Sequence, residues 1–381
     1  MYQGIQALRG LAVLAVLIYH ADLPLPGGYL GVDIFFVISG FVITASLMRE
    51  LAQTGTISFK AFYKRRVKRL LPALLAVIAL TTPILLFTAS PLGASQNSLW
   101  TAMASVFGLG NVAIQYLSGG YFGADAEVNH FLHTWSLGIE EQFYLVLPLI
   151  ALLSPRRSRP PKFNTFALAI LIVFVASLTI SMVATIVTLP LDVTGIWGFY
   201  SPITRAWELA LGVLLAISVD RFNGQKSRKA LGRIGVAMIV VALIIDWNLY
   251  STLLGQLIAA SGSAILILMS TKTQTKAQVS SPGRIMARIG DLSYSLYLWH
   301  WPMIVVAKSI WPTSSVAWAI TAFLAVIPAT LSYKFIESPL RKQKWRHGGN
   351  RPVLVLVAAA SFVVAGSWLV LGQGFWNPII V

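Results

Sequence analysis

The chain has 381 residues, 56% hydrophobic and 11% charged, with a net charge of +16 and no cysteine. Soluble globular chains carry about 25% charged residues, so this composition excludes an ordinary water-soluble domain. The lack of Cys excludes disulfides, thiolate metal sites and a Cys nucleophile.

Positive charge on this scale could serve nucleic acid, but 25 of the 29 Lys and Arg fall in five blocks, at 49–69, 154–163, 220–233, 271–290 and 337–351. Such segregation is the signature of cytoplasmic loops between membrane spans and argues against a nucleic-acid partner. The apolar runs between the blocks are continuous and show no two-residue alternation, which predicts helices and not barrel strands.

In chain order, spans are expected at about 5–21, 29–47, 70–89, 135–153, 164–188, 199–219, 231–247, 250–270, 291–310, 314–336 and 352–372. A Pro/Gly turn at 23–28 joins the first two. The first stretch carries Arg9 and has no small-residue cleavage site after it, so it reads as a retained span. The stretch 99–117 is less apolar, and parity makes it re-entrant or interfacial, because both ends of 90–132 must lie outside. The polar stretch 271–290 reads as the long inner loop. The expectation is an all-α polytopic membrane protein with about 10–11 transmembrane helices, its N-terminus cytoplasmic and its C-terminus extracytoplasmic.

Ionisable groups inside a span are costly, and each is a candidate for function. Arg9 and His20 stand eleven residues apart on one face of the first span, about 16 Å along its axis. Arg9 then lies near the inner surface and His20 near the outer one. Asp33 opens an otherwise apolar span; it can orient a histidine, or merely cap a helix N-terminus. In WSLGIEEQFY the adjacent Glu140 and Glu141 point about 100° apart, and Glu140 is favoured for the site. A packing role beside Trp135 or Tyr144 is its alternative. Ser293, Tyr294 and Tyr297 offer hydroxyls, whereas Trp299 and Trp301 read as interface-belt residues.

Arg9 and His20, GVDIFFVISGF, FYKRRVKRLLPA, HTWSLGIEEQFY, DLSYSLYLWHWP and FIESPLRK follow one another between residues 5 and 342. In that order they resemble the acyltransferase-3 family of membrane O-acyltransferases, which move acyl groups from a coenzyme A thioester to hydroxyls, typically of envelope sugars. The resemblance implies that His20 is the essential histidine and Arg9 its paired arginine; Asp33 and Glu140, read from their own positions in the spans, join His20 as catalytic candidates. The resemblance also implies that Arg9, Arg66 and Arg69 bind the donor, and a forked guanidinium suits phosphate. A plain topological anchor is the other reading of the KRRVKR block. Acetyl-CoA is the expected donor, a membrane-linked or extracytoplasmic carbohydrate the acceptor, the lipid bilayer the surroundings, and no metal is expected. The setting implied is a bacterial inner or plasma membrane.

Two other readings stay open. A proton-coupled permease also carries intramembrane His, Arg and Glu, although the inverted repeats of such proteins are not seen here. A partner that hands acyl groups to a separate transferase is the second, since an eleventh span resembles family members fused to an extracytoplasmic SGNH-type domain. On that resemblance, 1–340 is the family's transmembrane domain, and 341–381 adds a basic loop and an extra helix.

The topology is testable with an impermeant thiol reagent. Ser227→Cys should be labelled only from the cytoplasm and Asn377→Cys only from outside; labelling of both from one side would break the parity of eleven crossings.

Overall fold

The structure, a computed structural model, describes residues 3–88, 94–118, 127–152, 163–186, 198–219, 228–270, 281–342 and 351–372. These residues are almost wholly helical and contain no strand. In chain order the helices are α1 (Gln3–His20), α2 (Gly31–Thr54), α3 (Phe59–Thr88), α4 (Ala94–Val106), α5 (Gly110–Ser118), α6 (Trp135–Leu152) and α7 (Phe163–Ile186). They continue with α8 (Pro202–Ser218), α9 (Arg228–Ile244), α10 (Thr252–Ser270), α11 (Ser281–Ile310), α12 (Ser315–Leu324), α13 (Val326–Ser332), α14 (Ser338–Lys342) and α15 (Arg351–Gly372). A π turn, Tyr333–Glu337, separates α13 from α14.

Every expected span coincides with a helix or a helical relay. Among the described residues five segments, Gly28–Thr54, Phe59–Leu85, Thr165–Ile186, Thr252–Ser270 and Ser315–Lys342, are long and apolar enough to cross a bilayer. The chain is an all-α, multi-pass membrane protein. The stretch expected to be re-entrant is two helices, α4 and α5, broken at Gly108, whose φ is 71°. At 13 and 9 residues they span about 20 and 14 Å, short of a core about 30 Å thick.

The stretch expected as the inner loop is helical in its second half. Residues 271–280 lie outside the described residues, but 281–290 form the first turns of α11. Pro282 is tolerated in a first turn, where its missing N–H has no partner to lose. The expected belt residues also differ: Trp299 and Trp301 are buried, and the Trp301 indole donates to the Asn129 carbonyl at 2.8 Å. Ser227, Asn377 and residues 343–350 of the last basic block lie outside the described residues.

The chain divides into two units: residues 1–57 with 139–293, and 58–138 with 294–381. In the first, α2 packs on α1, α8 and α10, α8 on α7, and α9 on α10. Without a hydrophobic drive between helices in lipid, close backbone approach has to supply the packing. Reciprocal glycines do so. A Cβ on Gly40 of α2 would sit 2.0 Å from the Leu209 carbonyl oxygen, and one on Gly212 of α8 would sit 2.1 Å from that of Val37. The same device joins α1 to α11, where Cβ atoms on Gly10 and Gly290 would meet the carbonyl oxygens of Met286 and Gln6 at 2.2 and 1.8 Å. In the second unit α15 packs on α3 and α4, and α3 also packs on the π turn and α14.

A methyl group at such a contact must push two backbones apart. Gly40→Ala should therefore cost about 1–3 kcal/mol, seen as earlier thermal unfolding in detergent. Gly366→Ala, where nothing lies within 4 Å, should cost nothing. Equal melting of the two variants would contradict this account.

Candidate active site

Helix α1 ends on a tightly specified turn. The N–H groups of Asp22 and Leu23 donate to the carbonyls of Tyr19 (3.1 Å) and Ile18 (3.2 Å), and Asp22 has φ of 58°. This is the Schellman pattern with a non-glycine residue in the left-handed position. It fixes His20 as the last helical residue, half-buried, its ring edge-on to Tyr19 at 5.3 Å between centroids. Tyr19 in turn contacts Tyr29 at 5.3 Å.

Arg9 sits toward the other end of α1. Its Nε and Nη2 donate to the Ser293 hydroxyl at 3.1 and 2.9 Å, and its guanidinium lies 5.8 Å from the Phe35 ring centre. One turn earlier, the Gln6 side-chain amide donates to Asp291. The glycine contact between α1 and α11 brings the backbones close enough for both bonds.

Glu140 is held on both oxygens. Ser39 of α2 donates to Oε1 and Tyr144 to Oε2, each at 2.9 Å. The carboxylate is thus fixed in orientation, with the tyrosine partner that its sequence neighbourhood offered.

Asp33 is engaged by Arg205 of α8, whose Nη2 is 2.9 Å from Oδ1, and Arg205 Nε is also 3.2 Å from Glu208 Oε1. All three side chains are at most 2% exposed. Phe199 and Phe36 flank the guanidinium, with ring centres at 4.9 and 5.5 Å. The set holds two carboxylates for one guanidinium, so its neutrality requires one carboxyl proton. Sequence reasoning missed Arg205 and Glu208. The signal was available, because both are ionisable groups inside the expected 199–219 span.

In the second unit Arg66 and Arg69 stand one turn apart on α3, both half-buried. The Tyr294 hydroxyl donates to the Leu70 carbonyl at 2.7 Å. Elsewhere in this unit His133 lies edge-on to Tyr297 and His300, with ring centroids 5.6 and 5.8 Å away. The Tyr297 hydroxyl shares a 2.8 Å hydrogen bond with Ser136 and donates to the His133 carbonyl at 2.8 Å. Helix α4 buttresses this turn through Asn129 and Thr101 at 2.8 Å, and through Ser105 and Thr134 at 2.6 Å. No group of three or more His, Asp or Glu able to hold a metal occurs among the described residues.

The acyltransferase-3 family's sequence profile, described as an acyltransferase domain, matches residues 2–372. The chain belongs to the acyltransferase-3 family. Among the relatives it resembles are the O-acetyltransferase OatA of Staphylococcus aureus strain NCTC 8325 and the same-named proteins of strains COL and MRSA252. Each is 30% identical over 397 residues, covering 97% of this chain and 64% of the relative. The chain therefore spans somewhat less than two thirds of the length of these relatives. No solved structure matches it.

Removing one partner of a buried ion set leaves an uncompensated charge, at a cost of about 3–5 kcal/mol. Arg205→Met should accordingly lose most folded protein on size-exclusion chromatography. Glu208→Gln, which resembles the protonated acid, should fold nearly as well as the wild type. Survival of Arg205→Met with unchanged melting would make the set dispensable.

Proposed function

We propose that the protein is a membrane O-acetyltransferase that takes the acetyl group of cytoplasmic acetyl-CoA and passes it to a hydroxyl of a carbohydrate on, or facing, the extracytoplasmic side. The observation that carries this reading is the meeting of the family's motif residues in one unit. Arg9 bonds Ser293, which lies 284 positions further along the chain, and Ser39 bonds Glu140 across 101 positions. The OatA relatives, named as O-acetyltransferases, support the acyl class.

In the reaction the acceptor oxygen bonds to the thioester carbonyl carbon, the carbon–sulfur bond breaks, and the hydroxyl proton ends on the coenzyme A thiol. His20 is the group that moves it, because imidazole alone among these side chains titrates near neutrality without a large shift. It does so as base toward the acceptor, or by carrying the acyl group itself before the acceptor attacks. Asp33 supports it by position. Locked to Arg205, it fixes the start of α2 and with it the 23–28 turn that follows His20. Glu140 keeps α2 and α6 in register through Ser39 and supplies the site's second carboxylate. Arg66 and Arg69 take donor phosphates, and Arg9 belongs to the same donor-binding class.

His20→Ala should abolish transfer from labelled acetyl-CoA in proteoliposomes while leaving coenzyme A affinity almost intact. Arg66→Ala and Arg69→Ala should weaken that affinity about ten- to a hundredfold by calorimetry, each charge-assisted contact contributing about 1.5–3 kcal/mol. Glu140→Gln should reduce transfer more than Glu141→Gln. Retention of most activity in His20→Ala would remove its assigned role, and wild-type coenzyme A binding by both arginine variants would move the donor site elsewhere.

A further inference from the structure

The second unit carries a basic group outside the residues assigned above. Two consecutive residues of α11 tie α3 to the π turn: Tyr294 bonds the carbonyl of Leu70, next to Arg69, and Ser295 donates to Glu337 Oε2 at 2.9 Å. A π turn shifts a helix by a residue and recurs at functional sites. Here it ends on Glu337, which is 2% exposed. One turn on, in α14, Arg341 Nη1 is 3.9 Å from Glu337 Oε1, with the arginine side chain 46% exposed. Among the described residues Glu337 is the ion-pair partner of Arg341, and a guanidinium has five N–H donors, so one 3.9 Å contact leaves donors over on a side chain that is nearly half exposed. Lys342 follows it, also exposed. Because α14 packs on α3, Arg341 and Lys342 add to the charge of Arg66 and Arg69 in one unit.

Resting on the donor reading above, we infer that Arg341 forms a separate subsite for the terminal phosphate monoester of coenzyme A, the 3′-phosphate of its ribose. Coenzyme A carries two kinds of phosphate. The pyrophosphate adjoins the arm that leads to the thioester, and it suits the half-buried Arg66 and Arg69. The monoester lies at the far end of the molecule and stays in water, which suits an arginine exposed by nearly half. Glu337 holds that arginine from behind by its one long ion pair. The same phosphate-monoester chemistry occurs on phosphatidate headgroups, so the test has to separate the two sources.

Binding of coenzyme A and of 3′-dephospho-coenzyme A to the full chain is measured in detergent free of anionic lipid. The wild type should prefer coenzyme A about tenfold, equivalent to about 1.4 kcal/mol. In Arg341→Ala the preference should vanish because coenzyme A binding falls to the dephospho level. Dephospho-coenzyme A binding should stay at the wild-type value, which also reports an intact fold. Arg341→Lys should keep part of the preference. A wild type that binds both compounds equally, or an Arg341→Ala that keeps the tenfold ratio, overturns the subsite alone. An unchanged ratio with less phosphatidate copurified by the variant assigns Arg341 to lipid and likewise overturns it. Wild type that binds neither compound overturns the donor reading itself, and the subsite with it.

Discussion

Backbone contact between α1 and α11, made at Gly10 and Gly290, is the constraint on which the first unit's polar architecture depends. An arginine side chain in an apolar span needs a partner, and a serine hydroxyl is short. Only when the two helix backbones nearly touch can Ser293 meet the Arg9 guanidinium, and the amide of Gln6 meet Asp291. Larger residues at either glycine would widen the helix pair and leave Arg9 to water or lipid. The α2 and α8 pair repeats the solution with Gly40 and Gly212, and there it brings Asp33 to Arg205. Close glycine crossings and buried charge pairing are thus one design, because packing that tight is what makes short polar side chains long enough.

Glu140 follows the same logic from the other side. Its two hydroxyl partners come from α2 and from its own helix, so the carboxylate links two spans and has little freedom to turn. Asp33, Arg205 and Glu208 form a still more rigid set, walled by Phe36 and Phe199. Rigidity of this kind would suit the role proposed for the half-buried His20, whose helix ends at the left-handed Asp22.

Much of this was legible in the sequence because lipid makes the code simple. Continuous apolar runs gave helices at every expected span, and costly ionisable groups marked Arg9, His20, Asp33 and Glu140. The partners were harder. Ser39 is a single hydroxyl in an apolar run, with nothing in its neighbours to distinguish it from a packing serine. Arg205 and Glu208 carried the same signal as Asp33, but only the folded chain links α8 to α2. The start of α11 was hidden by its composition: Pro282, Gly283 and Arg284 read as loop, whereas packing against α1 makes the following turns helical. The π turn at Tyr333–Glu337 left no trace in hydropathy, because one extra residue in a turn hardly disturbs an apolar stripe.

Arg9 and the serine that holds it are separated by 284 positions, and that distance is also an interval of time. A ribosome adding about 5–20 residues per second needs roughly 15–60 s to travel between them. Throughout that interval α1 has entered the bilayer with its guanidinium still waiting for Ser293, and α11 cannot yet close over it. An early helix carrying a charge has to be sheltered, by the insertion machinery or by α2 with Phe35, until Ser293 has been made. Chains stalled before residue 293 would lack this partner of the first helix.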